Sequence, residues 1–291
     1  MLKLKGIIPA MLTPLDNKQN VNEKATRALV NHLIANGVHA IFALGTNGEF
    51  FSLSGAEKSE VMEIVIDEVN GRVPVMIGSG AAGTGQAVAL SKEAEKAGAD
   101  CLSVITPYFN ALSQKEIAEH FRAVAEAVSI PVLLYNIPAR AGNQILPETA
   151  RKLAEVSNIT GIKDSSGNFE TIKAYIDITE GMDFSVYAGT DSLILKTLEA
   201  GGMGAVAATA NVCPALAVDI YEGWASGDME RAVGAQEKLT KLREISRLAS
   251  IPAAYKAALE LQGIAAGPPK LPAMPLDESL RDELARILAQ E

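Results

Sequence analysis

The side chains best suited to chemistry in this sequence are a lysine, two tyrosines and an arginine, each standing just behind a short apolar run. Lys163 closes the run Asn158-Ile159-Thr160-Gly161-Ile162 and leads into Asp164-Ser165-Ser166-Gly167. Burying an unpaired ammonium costs several kcal/mol unless its pKa falls. A lysine ending a buried strand therefore either reaches out to solvent or serves as an amine nucleophile that forms a Schiff base with a carbonyl. Its company in the chain favours the second reading. Tyr108 lies in Thr106-Pro107-Tyr108-Phe109-Asn110 and Tyr135 in Tyr135-Asn136-Ile137-Pro138-Ala139-Arg140. Phenols at two adjoining strand ends offer a proton-transfer pair, and the Arg140 fork can grip a carboxylate. The stretch Gly45-Thr46-Asn47-Gly48-Glu49 brackets a hydroxyl and an amide with glycines, so its backbone can approach a ligand and its successive N–H groups can hold an anion. Together these residues supply an amine nucleophile, a proton shuttle, a hydroxyl relay and two carboxylate-binding features.

These residues need a scaffold that places strand ends side by side. Short apolar runs at Ile7–Met11, Ala40–Leu44, Val75–Ile77, Cys101–Ile105, Val132–Tyr135, Ile159–Lys163, Ser185–Ala188 and Gly204–Ala207 alternate with amphipathic runs. Helices are predicted to begin near Asn22, Ser54, Thr84, Ser113, Pro147, Asn168, Asp191 and Cys213. Ser54 with Glu57 and Ser113 with Glu116 have the spacing of capping boxes, and Pro147 suits a first turn. Asn36-Gly37, Asn70-Gly71 and Ala97-Gly98 mark helix ends. Eight β-then-α units without a long linker predict an α/β protein, a (β/α)8 TIM barrel. The competitor is an open doubly wound sheet with the same local pattern. The barrel is expected over residues 1–226, and residues 227–291 read as a three-helix extension of the same domain, with helices at Asp228–Leu248, Ile251–Gln262 and Asp277–Ala289. In a barrel the carboxyl ends of the strands carry the chemistry, where the lysine, tyrosine and glycine stretches stand.

Composition narrows the partners. The 291 residues are 48% hydrophobic and 21% charged with a net charge of −9, which suits a well-packed core and disfavours nucleic acid or an anionic membrane. An anionic substrate then needs a local cation. Cys101 and Cys213 are the two cysteines, so neither a disulfide framework nor zinc-ligand spacing exists. Pro9 and Pro14 interrupt the apolar run after Lys3 and Lys5, no small-residue cleavage site follows, and a cytoplasmic protein without a membrane span is expected. His32, His39 and His120 lie on or beside helices away from the strand ends, and acidic pairs spaced for metals are missing there, so no metal site is expected. Gly78-Ser79-Gly80-Ala81-Ala82-Gly83 matches a dinucleotide fingerprint between strand and helix. The next strand ends in Thr106-Pro107 without an acidic residue for a ribose, and Asp100 stands at its wrong end, so these glycines read as a barrel loop.

With these residues assembled, the chain resembles the dihydrodipicolinate synthase / N-acetylneuraminate lyase family of class I pyruvate aldolases and lyases, from about Gly6 into the C-terminal helices. GTNGE at 45–49 is similar to the family's G-[ST]-x-G-E signature, and TPYFN at 106–110, YNIPARAG at 135–142 and GIKDSSG at 161–167 match further stretches in order. The resemblance implies that Lys163 forms the Schiff base with pyruvate, that Tyr135 is the general acid/base, and that Thr46 links Tyr135 to Tyr108 in a proton relay. It implies that the backbone at Thr46 and Asn47 holds the pyruvate carboxylate, that Gly189 and Val206 line the pocket, and that no separate cofactor is used. It also implies a homotetramer in which the residue matching Tyr108 crosses a tight dimer interface. The small-molecule partners would be pyruvate and an aldehyde or 2-keto acid. Aspartate semialdehyde leads because Arg140 can meet its carboxylate. Alternatives are 2-keto-3-deoxy sugar acids, 4-hydroxy-2-oxoglutarate and N-acetylneuraminate, or a non-catalytic keto-acid sensor on the same scaffold. Synthases of the family read G-T-T-G-E and K-E-A-T-G, where this chain has Asn47 and Asp164-Ser165-Ser166. Phe50, Phe51, Gly55, Lys58, Ala82 and Gln86 stand where lysine-inhibited members carry their lysine-binding residues.

Overall fold

The structure, a computed structural model, describes residues 2–289. Eight strands follow the β-rich runs: β1 (Gly6–Pro9), β2 (Ile41–Ala43), β3 (Val75–Gly78), β4 (Cys101–Ile105), β5 (Val132–Asn136), β6 (Ile159–Asp164), β7 (Ser185–Ala188) and β8 (Gly204–Ala207). All pairings are parallel, in the order β1-β8-β7-β6-β5-β4-β3-β2. The ends of that order meet: Ala10 bridges Phe42, and the Met11 amide donates to the Phe42 carbonyl at 2.8 Å. A closed sheet has no edge to leave its polar backbone unpaired. The architecture is therefore the (β/α)8 barrel, and the open-sheet alternative falls on this closure.

The two-residue period of a strand splits the core in two. Ile8, Phe42, Met76, Cys101, Leu133, Tyr187 and Val206 pack inside the barrel. Ile7, Ile41, Ile77, Leu102, Leu134, Ile162 and Val186 face outward into the larger core under the helices. Each helix meets that layer with an apolar stripe; the helix Gln114–Glu126 buries Ile117, Phe121 and Val124 at the spacing of one face. Capping boxes form at Ser54/Glu57 and Ser113/Glu116, which closes donors the first turn leaves open. His39 accepts the Ile7 amide at 3.1 Å, at the amino end of β1 and away from the strand carboxyl ends.

The C-terminal segment differs in detail from its periodicity. The expected helix 228–248 ends as Met229–Leu242 and tightens into a 3-10 turn over Arg243–Arg247. The next helix starts at Ala253. Pro252 supplies the reason, because proline lacks a donor and disfavours helical geometry in the residue before it. The helix Met229–Leu242 packs against Pro214–Ser226, burying Ala232, Ala235, Leu239 and Leu242. The helix Ala253–Leu261 buries Tyr255, Lys256 and Leu259. Among the described residues, no helix is long and apolar enough to cross a membrane.

Candidate active site

At the carboxyl end of β6, alternation turns Ile162 toward the helices and Lys163 into the barrel. Gly161, two residues earlier on the same inner face, approaches β7 so closely that a Cβ there would collide with the Ser185 carbonyl. Lys163 is 4% exposed. In register it lies between Tyr135 on β5 and Tyr187 on β7. Its ammonium sits 3.9 Å from the centroid of the Tyr135 ring and 5.2 Å from that of Phe42. Aromatic faces attract a cation by about 0.5–2 kcal/mol each without neutralising it. Among the described residues no carboxylate forms an ion pair with Lys163. The amine is thus buried, oriented and uncommitted.

The Tyr135 hydroxyl is 3.2 Å from Thr46 Oγ1, which comes from the loop after β2. That loop departs from ordinary geometry at both ends: Leu44 has φ 58° and Glu49 φ 57°, left-handed values uncommon outside glycine. Buried contacts hold it there. Thr13 Oγ1 donates to the Gly48 carbonyl at 2.8 Å. Glu49 forms a 2.6 Å ion pair with Lys256 and accepts the Lys270 amide at 2.6 Å. Burial pushes the Lys256 ammonium below the ordinary lysine value, and the Glu49 carboxylate opposes that shift. The Thr46 and Asn47 amides donate to no protein acceptor among the described residues, and both residues line the cavity above Lys163. Two free N–H groups beside a glycine-bracketed turn can donate to an anion.

The cavity has a volume of about 210 Å³. Val206 and Gly189 are among the residues that line it. Gly189 touches the end of β6, its amide donating to the Asp164 carbonyl at 2.7 Å, and a Cβ there would strike Ser165 Oγ. Arg140, on a four-residue helix Pro138–Ala141 rather than in a loop, lines the mouth, is exposed and has no acidic partner among the described residues. Tyr108 is not brought to this cavity within the chain. It packs edge-on against Phe50, with ring centroids 6.1 Å apart, while neighbouring Phe109 takes φ 84° and is 95% exposed.

Sequence reasoning missed several parts of the site. Asp164 points away from Lys163 and is fully buried; burial raises its carboxyl pKa, which hydrogen bonds from Ser166 and Asn136 oppose. Asn136 Nδ2 donates to it at 2.6 Å, and the Ile145 amide donates to Asn136 Oδ1 at 3.0 Å, locking the ends of β5 and β6 together. Asp191 accepts the amides of Ala208 and Thr209 at 3.1 and 2.8 Å, fixing the loop after β8. Arg243, Ser246, Ile251 and Tyr255 form a wall contributed entirely by the C-terminal segment. Strand-end reasoning does not reach these four, because no strand precedes them. Gly78 and Gly80 serve packing: a Cβ on Gly78 would meet the Leu44 carbonyl, and one on Gly80 the Ile105 side chain.

Comparison with known proteins agrees with this geometry. A model of the dihydrodipicolinate synthetase family matches residues 3–291. The chain is 42% identical to a 4-hydroxy-tetrahydrodipicolinate synthase of Methanopyrus kandleri, over 98% of this chain and 96% of that one. It superposes on the dihydrodipicolinate synthase DapA-2 of Bacillus anthracis with a TM-score of 0.96 at 34% identity, covering 100% of this chain and 99% of the other. A prophage protein of the same family from E. coli K12, YagE, solved in complex with pyruvate, gives a TM-score of 0.95 at 34% identity, with 98% of each chain covered. With nearly its whole length matched and its strand-end residues gathered around one buried lysine, the chain belongs to the dihydrodipicolinate synthetase family.

Proposed function

We propose that this protein is a pyruvate-dependent lyase that works through an imine on Lys163 and joins pyruvate to an aldehyde carrying a carboxylate, as a 4-hydroxy-tetrahydrodipicolinate synthase does with aspartate semialdehyde. The observation that carries the reading is the buried Lys163 amine 3.9 Å from the Tyr135 ring, with the Tyr135 hydroxyl 3.2 Å from Thr46. The Lys163 amine in its free-base form adds to the pyruvate C2 carbonyl, and loss of water leaves a protonated imine. That cation draws electrons from C3, whose proton departs to give an enamine, and the enamine carbon bonds to the aldehyde. The aldehyde oxygen takes up a proton as it becomes a hydroxyl, and water then adds to the restored imine, breaking the bond to nitrogen to free the product ketone and the Lys163 amine. Tyr135 is placed to pass these protons, with Thr46 as the next hydroxyl along. The free amides of Thr46 and Asn47 seat the pyruvate carboxylate, and the unpaired Arg140 receives that of the aldehyde.

The relay calls for a further phenol beyond Thr46. In our reading it is Tyr108 of a second copy, in a homotetramer built from tight dimers. The exposed Phe109 beside a tyrosine that leaves its own cavity supports this. The test of the chemistry is borohydride reduction in the presence of pyruvate. One reduced pyruvyl group is expected on Lys163, and Lys163→Ala is expected to abolish both labelling and turnover while keeping the fold. Labelling at Lys196 or Lys256 instead would reject the assignment.

A further inference from the structure

We infer that Arg243 is a specificity-determining residue, which binds the anionic end of the acceptor aldehyde from the cavity wall formed by the C-terminal segment and so restricts the acceptor to aldehydes with a remote carboxylate. The inference rests on the lyase reading above and names its acceptor class. Arg243 lines the same cavity as Lys163 and Arg140. It opens the 3-10 turn Arg243–Arg247 that follows the helix Met229–Leu242. Arg243 is half-buried, yet its guanidinium makes no ion pair and no side-chain hydrogen bond among the described residues. Arg27, Arg231 and Arg247, by contrast, are each paired with an acid. A partly desolvated arginine without a partner is costly unless something else supplies the anion.

The wall around it holds one carboxylate, Asp191, and no ion pair joins it to Arg243 among the described residues. Asp191, the carboxylate lining this cavity, is already committed to the amides of Ala208 and Thr209. Ser246 and Tyr255 beside Arg243 bring hydroxyls, and burial raises the Tyr255 phenol so that it stays neutral. The amides of Thr46 and Asn47 already provide for the pyruvate carboxylate. Arg140 and Arg243 therefore both line a cavity of about 210 Å³ in a chain of net charge −9. A short aldehyde ending in a carboxylate satisfies both cations, whereas a neutral aldehyde leaves both unpaired.

The test compares two four-carbon aldehydes, succinic semialdehyde and butanal, as acceptors with pyruvate in the full-length enzyme. The wild type is expected to favour succinic semialdehyde in kcat/KM. Arg243→Ala is expected to raise KM for it by about tenfold, the lower end for a charge-assisted hydrogen bond at a partly exposed site. Butanal is expected to change by less than about twofold, as befits a group that senses charge alone. Arg243→Lys is expected to recover part of the loss, because the charge remains while the fork is gone. Borohydride trapping of pyruvate on Lys163 separates the two levels: its absence in the wild type defeats the lyase reading itself. With trapping intact, equal losses for both aldehydes, no loss for either, or a wild type that uses neither or does not prefer the acid would overturn the role of Arg243.

Discussion

Replacing Lys256 with methionine tests whether the C-terminal segment holds the active-site loop. Lys256 and Glu49 are 1% and 2% exposed and 2.6 Å apart, and Lys256 Nζ also donates to the Pro268 carbonyl at 2.9 Å. Methionine fills most of the lysine volume, so the main loss is electrostatic. Glu49 is left as a buried carboxylate supported by the Lys270 amide at 2.6 Å. Removing one partner of a buried pair typically costs about 3–5 kcal/mol, whereas replacing both by neutral groups is often nearly neutral. Urea unfolding of Lys256→Met should therefore show a stability loss of about 3–5 kcal/mol. Adding Glu49→Gln should recover more than half of it, since glutamine still accepts the Lys270 amide and carries no charge. Because Thr46 and Asn47 share a loop with Glu49, the single variant should also raise KM for pyruvate more than it lowers kcat. An unchanged unfolding midpoint, or a double variant no more stable than Lys256→Met, would refute the strut.

Tyr135→Phe keeps the ring beside Lys163 and removes the hydroxyl that meets Thr46, so kcat should fall about 10²–10⁴-fold with borohydride-trapped pyruvate still detectable. Tyr108→Phe should cost less, and activity should drop on dilution below the dimer dissociation constant; full activity in a proven monomer would contradict a tyrosine supplied by a second copy. Arg140→Ala should raise KM for an acidic aldehyde by about fivefold to tenfold, a modest effect because the exposed guanidinium is screened; an unchanged KM would exclude it from acceptor binding. Burial pushes the His120 imidazole down to about 4 from its ordinary 6.5, so it is neutral when folded where the unfolded chain binds a proton. It therefore contributes stability above pH 6.5 that is lost as pH falls toward 4, up to about 3 kcal/mol. The difference in unfolding free energy between wild type and His120→Leu should change over that window; a pH-independent difference would reject the shift.

The sequence by itself determined the elements and which of their ends carry chemistry, because those signals are local. Apolar runs of strand length, capping serines three residues ahead of a glutamate, and glycine or asparagine stops are short-range preferences written where they act. They placed the eight strands within a residue or two, and they put Lys163, Tyr135 and the Thr46 loop at strand carboxyl ends. The tertiary structure alone decided which of these residues touch. Lys163 lies over the Tyr135 ring because β5 and β6 pair in one register, and a one-residue slip would turn the amine out among the helices. Tyr108 leaves the cavity for Phe50, a choice made by packing that its own loop does not encode. The glycines of 78–83 match a nucleotide fingerprint locally and read as a barrel loop, and only the folded chain shows that Gly78 and Gly80 lie against the Leu44 carbonyl and the Ile105 side chain. Arg243, Tyr255 and the Lys256–Glu49 pair were illegible for the same reason. Arg243, Tyr255 and Lys256 come from the C-terminal segment with no strand before them, and folding brings them to loops far away in the chain, such as the one that carries Glu49, where distance in sequence carries no trace of contact in space.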